Sequence, residues 1–426
     1  MENNNDKPVN ELSRRQLLKA MTALGLVALT ASAMAPSAVS AQAGDIGPYP
    51  DGWLPTGIRS RFVNDINGLR IHVLEAGFET EGRPALVLLH GFPELAYSWR
   101  KVMVPLAAAG YHVIAPDLRG YGRTTGWDGD YDGDLASFRR LNVVRDVHGL
   151  VSAFGYRSVA AVIGHDFGSP VAAWCAVTRP DIFRAVVLMS APFGGTQQLP
   201  FDTADNAPRA RSTPGPNIYE QLAALPQPRK HYQRYYNTRE ANENMWHAPQ
   251  GIHAFIRGYY HYKSADWEGN RPHRLAERSA EEWAKMPTYY IMDLDQGMAE
   301  TVAEVMPSAA EIAANQWLPD AELEVYAEEY GRNSFQGGLQ HYRSGGIGAP
   351  EQQLYAGRTI DQPSMFISGA SDWGSYQSPG ALERMQQSTC TDMRAVHMVD
   401  GAGHWVQQEQ GEETSKLLIE FLSSLG

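Results

Sequence analysis

An aspartate stands at the centre of a short glycine-flanked segment, Gly164-His165-Asp166-Phe167-Gly168. The apolar residues 159–163 precede this segment and the small residues 169–173 follow it, which predicts a strand, a sharp turn and a helix. Small neighbours are required because the strained backbone at the centre of such a turn leaves no room for larger side chains. A carboxylate exposed there can attack an sp³ carbon and form an alkyl ester. This chemistry favours epoxides and alkyl halides over ordinary esters as substrates.

Two further residues occur where a nucleophile of this kind needs them. Asp372 follows the apolar residues 365–367, and His404 follows the apolar residues 395–399. A single aspartate or histidine in a loop is usually solvated or forms a turn. Here nucleophile, acid and histidine occur in the required chain order, each just past a predicted strand. We therefore predict that Asp372 orients His404 and that His404 activates water.

A third segment supplies backbone donors for developing negative charge. The sequence His90-Gly91-Phe92-Pro93 directly follows the buried apolar residues 85–89. In isolation it would indicate only a Gly-Pro turn. Together with the aspartate turn, it predicts that the N–H groups of Phe92 and Phe167 form an oxyanion hole.

The elements that must position these residues follow an α/β pattern. Short apolar runs alternate with helical patterns along residues 44–192, and the alternation returns in residues 347–426. This predicts a mostly parallel sheet with helices on both faces. Asn67-Gly68 predicts a hairpin turn, and residues 141–154 and 412–422 have apolar side chains at helical spacing.

Residues 193–346 have a different character from the segments on either side. They are rich in Pro, Tyr, Trp, Gln and Glu, and they lack short β-branched runs. Residues 281–284 and 321–330 show helical patterns. We predict a helical cap (residues 193–346), inserted between strands and covering the carboxyl ends where such sheets bind ligands.

These motifs resemble those of the soluble epoxide hydrolases of the α/β-hydrolase fold, from about Phe62 to the C-terminus. The matching stretches are residues 90–94 with 97–100, 117–122, 164–168 and 403–405. The first and third stretches also occur in haloalkane and haloacetate dehalogenases, so they indicate the superfamily and not the substrate. The resemblance implies hydrolysis of an epoxide to a vicinal diol through an ester on Asp166, without a metal or organic cofactor.

The resemblance also implies two cap tyrosines that hold the epoxide oxygen. The family has one in a Tyr-Gln-x-Tyr-aromatic run and the other in an x-x-Tyr-Arg run. Tyr232, in Tyr232-Gln233-Arg234-Tyr235-Tyr236, and Tyr342, in Gln340-His341-Tyr342-Arg343, match these positions. Tyr235 is an alternative for the first role. His341 stands where the family more often has Trp, which affects the shape of the pocket.

A dehalogenase that uses the same triad is the alternative function. Haloalkane dehalogenases that resemble this chain have Trp directly after the nucleophile, and haloacetate dehalogenases have Arg there. Phe167 offers neither donor. A capped pocket that only binds an apolar ligand is a third possibility. The complete set of Asp166, Asp372 and His404 argues against it.

Composition excludes several other partners. The net charge is −12 and no long basic run occurs, which argues against binding of nucleic acid or anionic membranes. Cys175 and Cys390 provide neither a disulfide framework nor a metal-binding spacing, and Cys175 is predicted to be a buried free thiol. Tryptophans in such a cap more often pack in the core than line a pocket, so they give little information about the substrate: Trp246, Trp267, Trp283 and Trp317. They suggest at most an apolar epoxide.

The N-terminal residues 1–43 are predicted to be an export signal. Ser13-Arg14-Arg15 precedes a mildly apolar stretch that ends in small residues near Ala43, as in twin-arginine signals. The apolar stretch, about residues 20–35, is short and interrupted, which argues against a membrane anchor. We therefore expect a periplasmic or secreted protein.

Overall fold

The computed structural model describes residues 46–197 and 217–426 of the chain. The export signal predicted for residues 1–43 lies outside the described residues, so it stays a prediction, as does the periplasmic or secreted location. Part of the predicted cap, residues 198–216, also lies outside the described residues.

The centre of the fold is an eight-stranded, mostly parallel sheet. The strands of the described residues are β1 (Ile58–Ile66), β2 (Leu69–Ala76), β3 (Ala85–Leu89), β4 (His112–Pro116), β5 (Ala161–His165), β6 (Val186–Met189), β7 (Arg229–His231), β8 (Ile291–Asp293), β9 (Ser364–Gly369) and β10 (Met393–Val399). The large sheet has the order β1-β2-β4-β3-β5-β6-β9-β10. Only β1 with β2 and β2 with β4 are antiparallel neighbours. The predicted α/β fold class is confirmed.

Helices connect these strands and form most of the insertion. The α-helices of the described residues are α1 (Arg100–Ala108), α2 (Arg140–Ala153), α3 (Gly168–Thr178), α4 (Ile218–Ala223), α5 (Tyr232–Tyr236), α6 (Glu240–Trp246), α7 (Ile252–Lys263), α8 (Ala280–Trp283), α9 (Met298–Ala303), α10 (Ala309–Ala314), α11 (Asp320–Asn333), α12 (Gln336–Arg343), α13 (Ala349–Gln352), α14 (Ala381–Arg384), α15 (Val406–Glu409) and α16 (Gly411–Ser423). None of these described helices combines the length and the apolar character needed to cross a bilayer.

Cys175 and Cys390 are both free and buried.

The predicted hairpin joins β1 to β2. Ile66 pairs with Leu69, so the loop has two residues, Asn67 and Gly68. Both have positive φ angles, 50° and 81°. A type I′ turn requires this conformation at both central positions, and Asn-Gly adopts it at low cost.

The strand that leads to Asp166, β5, lies between β3 and β6. Its five residues are buried, and its pairing continues to His165, which lies opposite Met189. The sequence placed this strand two residues too early, at residues 159–163. Val159 makes only an isolated bridge to Phe183, so the regular strand begins later and ends at the turn.

The described elements between β6 and β9 all lie outside the eight-stranded sheet. The helical patterns at residues 281–284 and 321–330 correspond to α8 and α11. A small antiparallel sheet of β7 and β8 also occurs there, which the sequence did not predict. Three-residue strands are too short to show an alternating pattern. The segment boundaries at residues 192 and 346 stay predictions.

The backbone of α12 touches the loop after β4 at two glycines. A Cβ on Gly337 would collide with the backbone of Gly120, and a Cβ on Gly120 would collide with the backbone of Gly337. This close approach fixes α12 against the core. The last turn of α12 carries Tyr342, so the contact also sets the position of that side chain.

Candidate active site

Asp166 occupies a sharp turn between β5 and α3. Its φ angle is 49°, a left-handed conformation that is uncommon outside glycine and that Asp and Asn tolerate better than most residues. A Cβ on Gly164 would collide with the carbonyl of Gly168, and a Cβ on Gly91 would collide with the Asp166 side chain. Gly164 and Gly91 therefore have to be glycines, because any larger residue would collide with its neighbours around Asp166.

The Asp166 carboxylate has a neighbour at each oxygen. The Phe92 N–H donates to Oδ1 at 2.9 Å, and Nε2 of His404 lies 3.3 Å from Oδ2. Burial opposes ionisation, but His404 and nearby cationic side chains hold the pKa of Asp166 well below its usual range. The group is thus an ionised carboxylate. The oxyanion-hole roles of the Phe92 and Phe167 N–H groups stay predictions.

His404 and Asp372 meet beside this carboxylate. Nδ1 of His404 lies 3.0 Å from Oδ1 of Asp372, and both side chains are buried. Asp372 also accepts hydrogen bonds from the Gly374 N–H at 2.7 Å and the Ser368 hydroxyl at 3.1 Å. Burial opposes ionisation, but His404 and the Gly374 N–H lower the pKa of Asp372. An ionised Asp372 favours a proton on Nδ1 and leaves Nε2 able to accept one.

A buried ion pair that the sequence did not single out supports this histidine. Oε2 of Glu94 lies 2.6 Å from Nδ1 of His165, and Nε2 of His165 lies 2.7 Å from the carbonyl oxygen of His404. Burial opposes protonation of His165, but Glu94 raises its pKa. A protonated ring donates to both partners and so fixes the His404 backbone. Both residues belong to motifs already recognised, which is the signal that could have found them.

Lys263, at the end of α7, was also missed. Burial lowers the pKa of its ammonium, whereas three carboxylates oppose that shift: Asp166, Asp372 and Glu94. Nζ lies 5.0–5.8 Å from the centroids of four aromatic rings, those of Tyr259, Tyr289, Tyr290 and Trp405. Rings at this distance stabilise a cation through their π electrons. No local pattern predicts this arrangement, because only Tyr259 lies in the same helix as Lys263 and the other three rings come from two distant segments.

A cavity of about 330 Å³ extends from Asp166 to the cap. Tyr232 and Tyr342 both line it, as does Asp166, and the two tyrosine ring centroids are 6.1 Å apart. The Tyr232 hydroxyl accepts a hydrogen bond from Gln233 at 3.1 Å and donates to Oε1 of Gln377 at 3.4 Å. Burial is the main cause that raises the pKa of both tyrosines well above the usual value. Both hydroxyls therefore stay protonated and can donate.

The structure separates Tyr232 from its alternative, Tyr235. Tyr235 is not among the residues that line the cavity. Its ring instead lies 4.7 Å from the Lys230 ammonium. Of the two positions, only Tyr232 faces the nucleophile's cavity.

His341 contributes to the cavity wall. Its Nε2 donates to the carbonyl oxygen of Arg119 at 2.6 Å, and its ring stacks on Tyr121 at 5.5 Å between centroids. Burial lowers the pKa of His341 to about 3, so the ring is neutral. An imidazole therefore takes part in shaping the pocket at the position where the family more often has an indole.

Comparison with known proteins places this site in a family. The sequence profile of the alpha/beta hydrolase fold matches residues 84–410. The chain is 30% identical over 371 residues to epoxide hydrolase B of Mycobacterium tuberculosis, covering 85% of this chain and 98% of that protein. It is 29% identical over 359 residues to an epoxide hydrolase of Caballeronia sordidicola, covering 84% and 92%.

Solved structures agree with these relatives. An epoxide hydrolase from an endophytic Streptomyces superposes with a TM-score of 0.67 at 30% identity, covering 87% of this chain and 97% of the other. Potato (Solanum tuberosum) epoxide hydrolase I gives a TM-score of 0.63 at 28% identity, covering 86% and 99%. The chain therefore belongs to the epoxide hydrolases of the α/β-hydrolase fold.

Proposed function

We propose that this enzyme hydrolyses epoxides to vicinal diols through a covalent ester on Asp166. One arrangement carries the proposal: the Asp166 carboxylate shares a cavity with the hydroxyls of Tyr232 and Tyr342, while His404 lies 3.3 Å from its Oδ2. The epoxide enters between the carboxylate and the tyrosines, and water enters beside His404. Family membership supports the same reaction.

Ring opening is the first half of the reaction. Oδ2 of Asp166 attacks a ring carbon, the bond from that carbon to the ring oxygen breaks, and the electron pair stays on the oxygen. One tyrosine, Tyr232 or Tyr342, transfers its proton to that oxygen while the other donates a hydrogen bond. Oδ1, which already accepts from the Phe92 N–H, becomes the carbonyl oxygen of the ester.

Hydrolysis is the second half. Nε2 of His404 takes a proton from water, and the resulting hydroxide attacks the ester carbonyl carbon. Asp372 stabilises the charged imidazole, and the Phe92 and Phe167 N–H groups stabilise the oxyanion. The bond between the carbonyl carbon and Oδ2 then breaks, and the diol leaves. The two protons of the water return to the diol oxygen and to the tyrosinate.

The dehalogenase alternative has weaker support. The dehalogenases that resemble this chain have a Trp or an Arg directly after the nucleophile, and Phe167 stands at that position here. Release of halide from haloalkanes or haloacetates, without turnover of epoxides, would favour that alternative.

A single turnover in heavy-oxygen water tests the ester. With enzyme in excess over epoxide, we expect the heavy oxygen to enter the Asp166 carboxylate, because water attacks the ester carbonyl and not the substrate carbon. Mass spectrometry of the peptide that contains Asp166 measures this. Label found only in the diol after one turnover would contradict the ester mechanism.

Removing either cap hydroxyl should slow ring opening. We expect Tyr232→Phe and Tyr342→Phe each to lower the rate by about 10²-fold, the scale on which loss of one donor to a developing oxyanion costs about 3 kcal/mol. Tyr235→Phe is the matched control, because Tyr235 does not line the cavity. Stopped-flow measurement of ester formation gives the rates. Equal rates in the parent and both cavity variants would refute the assignment.

A further inference from the structure

Arg140 is a cation in the wall of the substrate cavity. It is the first residue of α2, and it lines the cavity together with Asp166, Tyr232 and Tyr342. Its guanidinium lies over the Phe167 ring, with Cζ 4.2 Å from the centroid. Nη1 donates to the Phe167 carbonyl oxygen at 3.4 Å. The charge is thus held next to the residue that directly follows the nucleophile.

No carboxylate of the described residues forms an ion pair with Arg140. Its sequence neighbour Arg139 pairs with Glu351. The three arginines of the described residues that are almost completely buried each have a carboxylate partner: Arg100 with Glu322, Arg119 with Asp146, and Arg257 with Asp320. Arg140, which is half-buried, lacks such a partner.

Arg140 lies where burial and the helix dipole both disfavour a cation. Burial lowers the pKa of its guanidinium to about 10, which leaves it charged at neutral pH. A cation at the first residue of a helix also faces the positive end of the helix dipole. Neither helix stability nor an ion pair within the described chain explains an arginine here. A charged ligand would.

The remaining charges of the cavity wall point to the same kind of ligand. Arg234 also lines the cavity, and its guanidinium lies 4.9 Å from the Tyr219 ring centroid. Among the described residues that line this cavity, Asp166 is the only acidic one. An anionic substrate would be repelled by that carboxylate, and a cation beside it offsets the repulsion.

We infer that Arg140 binds a carboxylate carried close to the epoxide ring, so that the preferred substrates are epoxy acids. This inference rests on the proposed function. The planar guanidinium matches the two oxygens of a carboxylate, which an amide or ester group does not reproduce. The expectation of an apolar epoxide, which rested on the aromatic composition of the cap, stays the alternative.

A pair of matched substrates tests the inference. We compare 3-phenylglycidate with its uncharged amide, 3-phenylglycidamide, and use styrene oxide as a neutral reference. The wild-type enzyme should show a kcat/KM about 10- to 100-fold higher for the acid than for the amide, as expected for charge-assisted hydrogen bonds. Arg140→Met should remove this preference, mainly by raising KM for the acid. The acid-to-amide ratio of kcat/KM should therefore fall to about 1 in this variant, the ratio expected when the charge-assisted hydrogen bonds are lost.

Two control variants distinguish loss of carboxylate binding from a purely structural effect. Arg139→Met, with its charge already paired to Glu351, should leave both substrates unaffected. Arg140→Lys should keep part of the preference, because it retains the charge without the planar geometry. Equal rates for acid and amide in the wild type, or an equal loss on both in Arg140→Met, would overturn the inference. Turnover of none of the three epoxides would instead refute the proposed function.

Discussion

Replacing Asp166 with alanine should abolish epoxide turnover, with a loss of at least about 10⁴-fold in kcat, on the scale of nucleophile deletions in other hydrolases. The reason is that the side chain supplies the atom that forms the covalent bond. The Phe92 N–H and His404 remain in place, but they have no ester to act on. Steady-state diol formation from styrene oxide measures the loss.

The left-handed backbone at this position requires two controls. Alanine tolerates a φ of 49° less well than aspartate does, and the conformation costs about 1 kcal/mol. Asp166→Asn keeps a residue type suited to that conformation, so its thermal unfolding should match the parent. Asp181→Ala, at an exposed carboxylate paired with Arg179, should leave turnover unchanged. Full turnover by a folded Asp166→Ala protein would exclude Asp166 as the nucleophile.

Residues at the ends of strands were predictable because local sequence determines their placement. Asp166, Asp372 and His404 each follow an apolar run that pairs in the sheet, and parallel strands bring their carboxyl ends to one edge. The expected helix at residues 141–154 is α2, displaced by one residue. The apolar pattern extends to Phe154, which caps the helix, and it misses Arg140, which is polar and carries no periodic signal.

Interactions that depend on distant segments were not predictable. The rings around the Lys263 ammonium lie in three segments of the chain. The sequence of one segment does not indicate that the other two pack beside it. Arg140 stands at the start of a helix, where most arginines are solvated. That it faces the cavity without a carboxylate partner is a property of the tertiary structure. Sequence patterns therefore indicated the chemistry better than the substrate.

His404→Gln should separate the two halves of the reaction. The variant retains Asp166 and both cap tyrosines, so ring opening proceeds, but no base activates water. We expect each enzyme molecule to consume one epoxide and to retain it as an ester, with steady-state turnover lower by about 10³- to 10⁴-fold. Intact-protein mass spectrometry should show a gain equal to the mass of the epoxide, located on the peptide that contains Asp166.

The matched control is His397→Gln, the same substitution on β10, the strand that precedes the His404 loop. It should turn over epoxide at the parent rate and show no adduct. Asp372→Asn should also accumulate the ester, because it loses the charge that stabilises the imidazolium beside it. If His404→Gln lost turnover without forming an adduct under saturating epoxide, His404 would be required before ester hydrolysis, and its assignment as the base of the second half-reaction would be refuted.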